Sequence, residues 1–332
     1  MTKRALTGDR PTGKLHLGHL VGSIENRIKL QNEMELFYMI ADTQALTHNA
    51  ENPTKVRDNV LEIALDNLAA GMDPLKTTMF VQSAVPEIAE LTQYFLNLVT
   101  LARAERNPTI KDEMKQKGYG SDVPLGFLIH PINQAADILI VKAHVVPVGD
   151  DQLPMIEQAN EIIHSFNRIY GETFTKIEGK VGDTPRLIGT DGAAKMSKSA
   201  NNAIFLSDDD ATIGEKVMNM YTDPTHIRVE DPGKVEGNVV FTFLDAFDPN
   251  QNEVADLKEQ YRKGGLGDVV LKKRLTKILI DKITPIRDRR AKLAKDPAAV
   301  MQILKVGTTK VRNIAQKTLE EVRSKIGINY FA

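Results

Sequence analysis

The sequence predicts an α/β protein, a parallel sheet wrapped by helices and followed by a purely helical segment. Three observations predict it: short apolar runs ending at Gly, Asp or polar residues, helix-length periodic stretches between them, and strand signals that fade after about residue 206. The runs are 4–8 (RALTG), 35–42 (ELFYMIAD), 78–82 (TMFVQ) and 145–149 (VVPVG), which read as buried strands. The stretches 17–31, 53–72, 87–101 and 150–169 are helical in pattern. In 53–72, Val56, Val60, Ile63 and Leu68 keep the 3.6-residue spacing, and Pro53 suits a first helical turn. Strands alternating with helices of this length imply right-handed βαβ units and a Rossmann-like sheet. Beyond 206 the pattern is helical almost throughout, broken by polar turns around EDPGKVEGN and GGLGD. The expected division is a sheet domain at 1–206 and a helical domain at 207–332.

Composition narrows the class. The 332 residues are 42% hydrophobic and 26% charged, with net charge −1, as in an ordinary cytoplasmic globular protein. The absence of cysteine excludes disulfides and thiolate metal sites. No apolar run approaches the ~20 residues that span a bilayer, and the start lacks a secretory apolar stretch, so no membrane partner is expected. Charge is uneven: residues 262–332 carry 18 Lys/Arg against 6 Asp/Glu, a net +12, leaving −13 for 1–261. Such a tail either meets a polyanion or presents a basic, solvated helical surface.

The loop after the first strand carries the first chemical signal. Gly8 to Lys14 spells G-x-x-x-x-G-K, most of a phosphate-binding P-loop. A working P-loop needs Ser or Thr next, to hold Mg²⁺, and here Leu15 stands there. Pro11 also removes an N–H from a loop that must present such groups. His16 to His19 (HLGH) fits a different use, the first turn of a helix, where unsatisfied N–H groups and the dipole favour an anion. Two imidazoles there can donate to phosphate oxygens, and Gly18 leaves the backbone open to the flat face of a base. By themselves these histidines read as readily as solvated residues or an i,i+3 metal pair. They are not alone: KMSKS at 195–199 lies in a Gly-flanked loop. Its Lys195 and Lys198 could reach a triphosphate, with Ser197 and Ser199 as further donors.

These two motifs, in this order, resemble those of class I aminoacyl-tRNA synthetases, and over the whole chain the likeness is closest to tryptophanyl-tRNA synthetases. GDRPTGKLHLGHLVGSI, AADILIVKAHVVPVGDDQLPMIEQANEI, KVGDTPRLI and AAKMSKS carry it, with GGLGDVVLKKRLTKILIDKITPIRDRR in the tail. The resemblance implies ATP- and Mg²⁺-dependent activation of L-tryptophan, transfer to tRNA(Trp), an anticodon-binding helical domain and a homodimer. It assigns Arg10, Pro11, Thr12, Gly18, His19, Gly149, Asp150, Asp151 and Leu187 to ATP, together with Lys195, Met196, Ser197, Lys198 and Ser199. The catalytic set it implies is Lys195, Lys198, His16 and His19.

Tyrosine is the competing substrate, because the two families share fold and motif layout. Gln134-x-x-Asp137 matches the tyrosyl pattern, whereas Leu6 stands where tyrosyl enzymes place a phenol-contacting Tyr. An indole offers one N–H and no acceptor. A buried Asp137 can take that donor, and such a site rejects an analogue lacking it by ~10⁴ or more without editing. Leu6, Gln134, Asp137 and Gln152 form the expected tryptophan site. The sequence departs from the common bacterial pattern at Arg10, His19 and ADTQALT (41–47), which leaves the role of Gln44 open. A synthetase-like paralogue without catalysis is the remaining alternative, and the intact lysine loop argues against it.

Overall fold

The computed structural model describes residues 2–120, 122–181, 187–192, 196 and 200–331. Five parallel strands form one sheet in the order β3-β2-β1-β4-β5, with β1 Arg4–Asp9, β2 Glu35–Ile40, β3 Thr77–Val81, β4 Val145–Val148 and β5 Glu178–Val181. The order reverses between β1 and β4, which places the topological switch point at β1. Four strands stand where the apolar runs predict them. The fifth, EGKV, has no apolar run because it is a largely exposed edge; pairing with β4 alone makes it a strand.

The helices of the sheet region are α1 Leu17–His19, α2 Glu25–Leu30, α3 Asp42–Leu46, α4 Pro53–Ala70, α5 Glu87–Leu96, α6 Leu101–Glu105, α7 Pro108–Lys117, α8 Leu125–Leu128, α9 His130–Ile140 and α10 Leu153–Tyr170. Capping explains several boundaries. The Asn52 side chain accepts the Lys55 N–H, Pro53 occupies the first turn, and Gly71 with φ 120° ends α4. The helix expected over 17–31 is interrupted by a π-helical turn, Leu20–Ile24, that carries Gly22 and Ser23. The stretch 87–101 also stops early, at Leu96, and a new helix starts where Thr100 caps the Arg103 N–H.

The helical region comprises α11 Asp210–Met218, α12 Val239–Phe247, α13 Gln251–Lys263, α14 Asp268–Leu293 and α15 Pro297–Ile326. It is not a detached bundle. Val311, Ala315, Leu319 and Val322 of α15 share a core with Phe37, Phe80 and Phe95 of the sheet region. Gly307 lets α15 approach β3 so closely that an added Cβ would lie 1.9 Å from the Met79 carbonyl oxygen.

Much of the basic excess is taken up by contacts within the molecule. Lys272 is buried and donates to the Met218 and Met220 carbonyls, both at 2.9 Å. Arg274 pairs with Asp248 and Glu253, Arg287 with Asp210, Arg290 with Glu62 and Asp66, Arg312 with Glu87, and Arg323 with Glu90. Arg289 donates to the Ala69 carbonyl at 2.6 Å. The acidic part of the chain and the basic tail therefore neutralise each other across their contact.

A Gly307→Ala variant tests this packing. On an exposed helix the change would stabilise by about 1 kcal/mol. Here overpacking against β3 reverses the sign, and urea denaturation should show a loss of about 1–3 kcal/mol.

Candidate active site

A cleft of about 770 Å³ opens over the carboxyl ends of β1 and β4, where an open α/β sheet binds ligands. Its floor is set by β1. Asp9, the last residue of that strand, receives both arms of Arg27 from α2, at 2.5 and 2.9 Å. Arg27 also donates to Thr7 Oγ1 and the Gly8 carbonyl, while Tyr38 donates to Asp9 at 2.8 Å and Asn67 to Tyr38 at 2.8 Å. Burial alone would raise the Asp9 pKa, but the charge and hydrogen bonds of Arg27 outweigh it and hold the carboxyl well below the usual range.

Arg10, Thr12, His16, His19, Gly149 and Met196 of the expected nucleotide set line the cleft. The His16 and His19 rings meet at a tilt of 54° with centroids 3.8 Å apart, and His19 Nδ1 accepts the His16 backbone N–H at 3.3 Å. In its neutral form His19 therefore carries its proton on Nε2. Gly18 serves packing: a Cβ there would meet the His16 ring at 3.0 Å. Met196 is buried in the main core, and its N–H reaches the Leu187 carbonyl at 3.4 Å. Pro11 and Leu187 are buried, Gly18 is half-buried, and Asp150 and Asp151 sit exposed in the turn after β4; these five are not part of the cleft lining. Lys195, Ser197, Lys198 and Ser199 lie outside the described residues.

The other end of the cleft is narrower in chemistry. Leu6, Gln134, Asp137 and Gln152, the expected amino-acid set, all line it. Asp137 is 1% exposed, and its Oδ1 accepts from Gln82 Nε2 at 2.8 Å. Burial pushes its pKa up to about 7, against the opposing Gln82 bond. Gln82 is itself oriented, because its Oε1 accepts the Gln44 backbone N–H at 3.1 Å. The Gln44 side-chain amide reaches the His130 ring, 2.5 Å from Nε2. Enclosure, reinforced by the charges of Arg10 and His48, lowers the His130 pKa to about 3, so the ring is neutral and can accept. Gln134 Oε1 is buried with no hydrogen-bond partner among the described residues.

Sequence reasoning missed Arg27, Gln82 and His130 and left Gln44 open. Two signals were available. His130, Gln134 and Asp137 are spaced i, i+4, i+7, one face of a helix. Gln82 directly follows the end of β3, at the sheet edge where ligands bind.

Residues 2–284 match the family model of tRNA synthetases class I (W and Y), and the chain belongs to that family of enzymes. A tryptophan–tRNA ligase of Clostridium longisporum is 57% identical, covering 98% of this chain and 97% of that one. The corresponding ligase of Lactococcus lactis is 53% identical with full coverage of both chains. A tryptophanyl-tRNA synthetase of Campylobacter jejuni, solved with ADP and tryptophan, superposes with TM-score 0.86 at 32% identity, covering 98% and 99%. This is the tryptophanyl branch of the class I synthetases.

Asp137 yields a stability prediction. Its folded pKa of about 7 exceeds the unfolded value of 3.8, so its contribution to stability is fully present below pH 4 and lost as pH rises through 7. Asp137→Asn, which can still accept from Gln82, should therefore raise the melting temperature of the ligand-free protein at pH 8 and change it little at pH 4. A pH series of thermal melts in which the gain does not grow with pH would contradict this.

Proposed function

We propose that this chain activates L-tryptophan with MgATP, forming tryptophanyl-adenylate and pyrophosphate, and then transfers the tryptophanyl group to tRNA(Trp). One observation carries the reading most directly: a buried acid, Asp137, lines the same cleft as a helix start bearing two histidines. An indole needs an acceptor and nothing else, and a carboxylate held as acceptor by Gln82 supplies it. Leu6 offers a phenol no hydroxyl partner, which favours tryptophan over tyrosine. Gln134 Oε1, buried and without a partner among the described residues, is suited to accept from the substrate ammonium group, with Gln152 nearby.

In the first step the tryptophan carboxylate attacks the α-phosphorus, a P–O bond forms, and the bond to the β-phosphate oxygen breaks to release pyrophosphate. No covalent enzyme intermediate is needed, so the protein contributes positioning and charge. Mg²⁺ enters with ATP, riding on the phosphates as part of the substrate. The His16–His19 turn steadies the phosphates, Arg10, Thr12 and Gly149 flank the nucleotide, and Lys195 and Lys198 neutralise the leaving pyrophosphate. Segment 1–206 carries this chemistry and segment 207–332 meets the tRNA. The homodimer implied by the family would use apolar surface such as Leu101 and Leu125, exposed on α6 and α8. No helix of the described residues is long and apolar enough to cross a membrane.

The chain contains no tryptophan, so red-edge excitation reports only added ligand. Bound tryptophan should show shifted emission, and its Kd should rise as pH falls below 7, because protonation of Asp137 removes its charge and weakens it as an acceptor. Amino-acid-dependent ATP–pyrophosphate exchange should respond to tryptophan and not to tyrosine; the reverse preference would overturn the assignment. Lys195→Ala should lower exchange turnover far more than tryptophan affinity. For tRNA, the informative bases are the exposed Lys263, Lys273 and Lys277, since Lys272, Arg274, Arg289 and Arg290 have intramolecular roles. Replacing the three lysines with Ala should weaken tRNA binding and reduce the log–log salt slope by up to about 3, with exchange unchanged.

A further inference from the structure

Asp66 lies on α4, behind the cleft, with none of its surface exposed. Its two oxygens serve two different parts of the chain. Oδ2 accepts the backbone N–H of Leu15 at 2.7 Å, immediately before the His16–His19 turn. Oδ1 accepts from Arg290 Nε on α14 at 2.6 Å, and the other arm of Arg290 pairs with Glu62. Burial pushes the Asp66 pKa up, opposed by the Leu15 N–H and the Arg290 charge. The opposite flank of the same turn is held as well. Leu15 accepts from the Leu206 N–H at 3.0 Å, and the Leu17 N–H donates to the Ile204 carbonyl at 2.9 Å. One helical turn before Arg290, Arg287 donates to the Asp208 carbonyl at 3.0 Å and to Asp210 at 2.8 Å. Arg290 thus reaches one flank of the turn through Asp66, and Arg287 anchors the chain just after the residues that pair with the other flank.

Packing alone does not account for a carboxylate here, because an apolar side chain would fill the position without the desolvation penalty. What a carboxylate adds is direction: it can bind one chosen backbone N–H and one guanidinium at once.

We propose that Asp66 and Arg290 are positioning residues for the nucleotide half of the activation reaction: Asp66, oriented by Arg290, sets the Leu15 amide and with it the His16–His19 turn. The long helix α14, within the segment read as meeting tRNA, therefore also sets the geometry at ATP. This rests on the reading of the cleft as the ATP site.

The test is pyrophosphate exchange on the full-length protein, with tryptophan affinity measured in parallel by ligand fluorescence. The parent's exchange activity bears on the functional reading, and changes confined to the variants bear on this one. Asp66→Asn keeps the shape and loses the charge, so it should raise the KM for ATP about tenfold while the tryptophan Kd stays within about twofold. Arg290→Met should show the same split, and the double variant should be no worse than the more affected single variant, because both act through one path. Should Asp66→Asn fail to fold, Arg290→Gln decides alone by the same comparison. The proposal is overturned by folded variants whose KM for ATP is parental. Equal losses of ATP and tryptophan binding overturn it too, since a merely structural role would produce that pattern.

Discussion

A carboxylate and a guanidinium buried together at the end of the central strand set the geometry on which the cleft depends. Asp9 closes β1, and Arg27 comes back from α2 to occupy both of its oxygens while also holding Thr7 and the Gly8 carbonyl. Tyr38 from β2 and Asn67 from α4 complete the network. Strand, helix and neighbouring strand are thus tied at the point where the chain leaves the sheet toward the His16–His19 turn. Removing either charge would leave the other buried and unpaired, at about 3–5 kcal/mol. Its structural importance is that it fixes where β1 ends relative to α2, and the cleft lies between them.

The charge asymmetry of the chain acquires a second meaning in three dimensions. The acids of the first two-thirds and the bases of the tail meet along α4, α5, α14 and α15, where Arg290, Arg312 and Arg323 face Glu62, Asp66, Glu87 and Glu90. Apolar packing accompanies the charges, since α15 shares its buried face with the sheet region. The helical region is continuous with the wall of the cleft, since Arg290 of α14 meets Asp66, which holds the Leu15 amide.

The amino-acid end of the cleft shows how polar networks escape a linear reading. Asp137 was legible because its flanks are apolar, and a carboxylate in such a setting is either paired or functional. Its partner Gln82 is 55 residues away, and the orientation of that amide depends on a backbone N–H from a third element, Gln44. His130 could have been found from its helical spacing to Gln134 and Asp137. Its neutrality comes from enclosure and from the charges of Arg10 and His48, which only the folded chain brings close.

By itself the sequence determined the sheet class, four of the five strands and the family. Those depend on local periodicity, on residues adjacent in the chain, and on motifs whose spacing is short. Only the tertiary structure decided the fifth strand, the π-helical interruption after His19, the internal pairing of the basic tail and the Asp66 link between α14 and the His16–His19 turn. Each of these is a contact between segments tens to hundreds of residues apart, and no periodicity in the chain records which buried charge will face which.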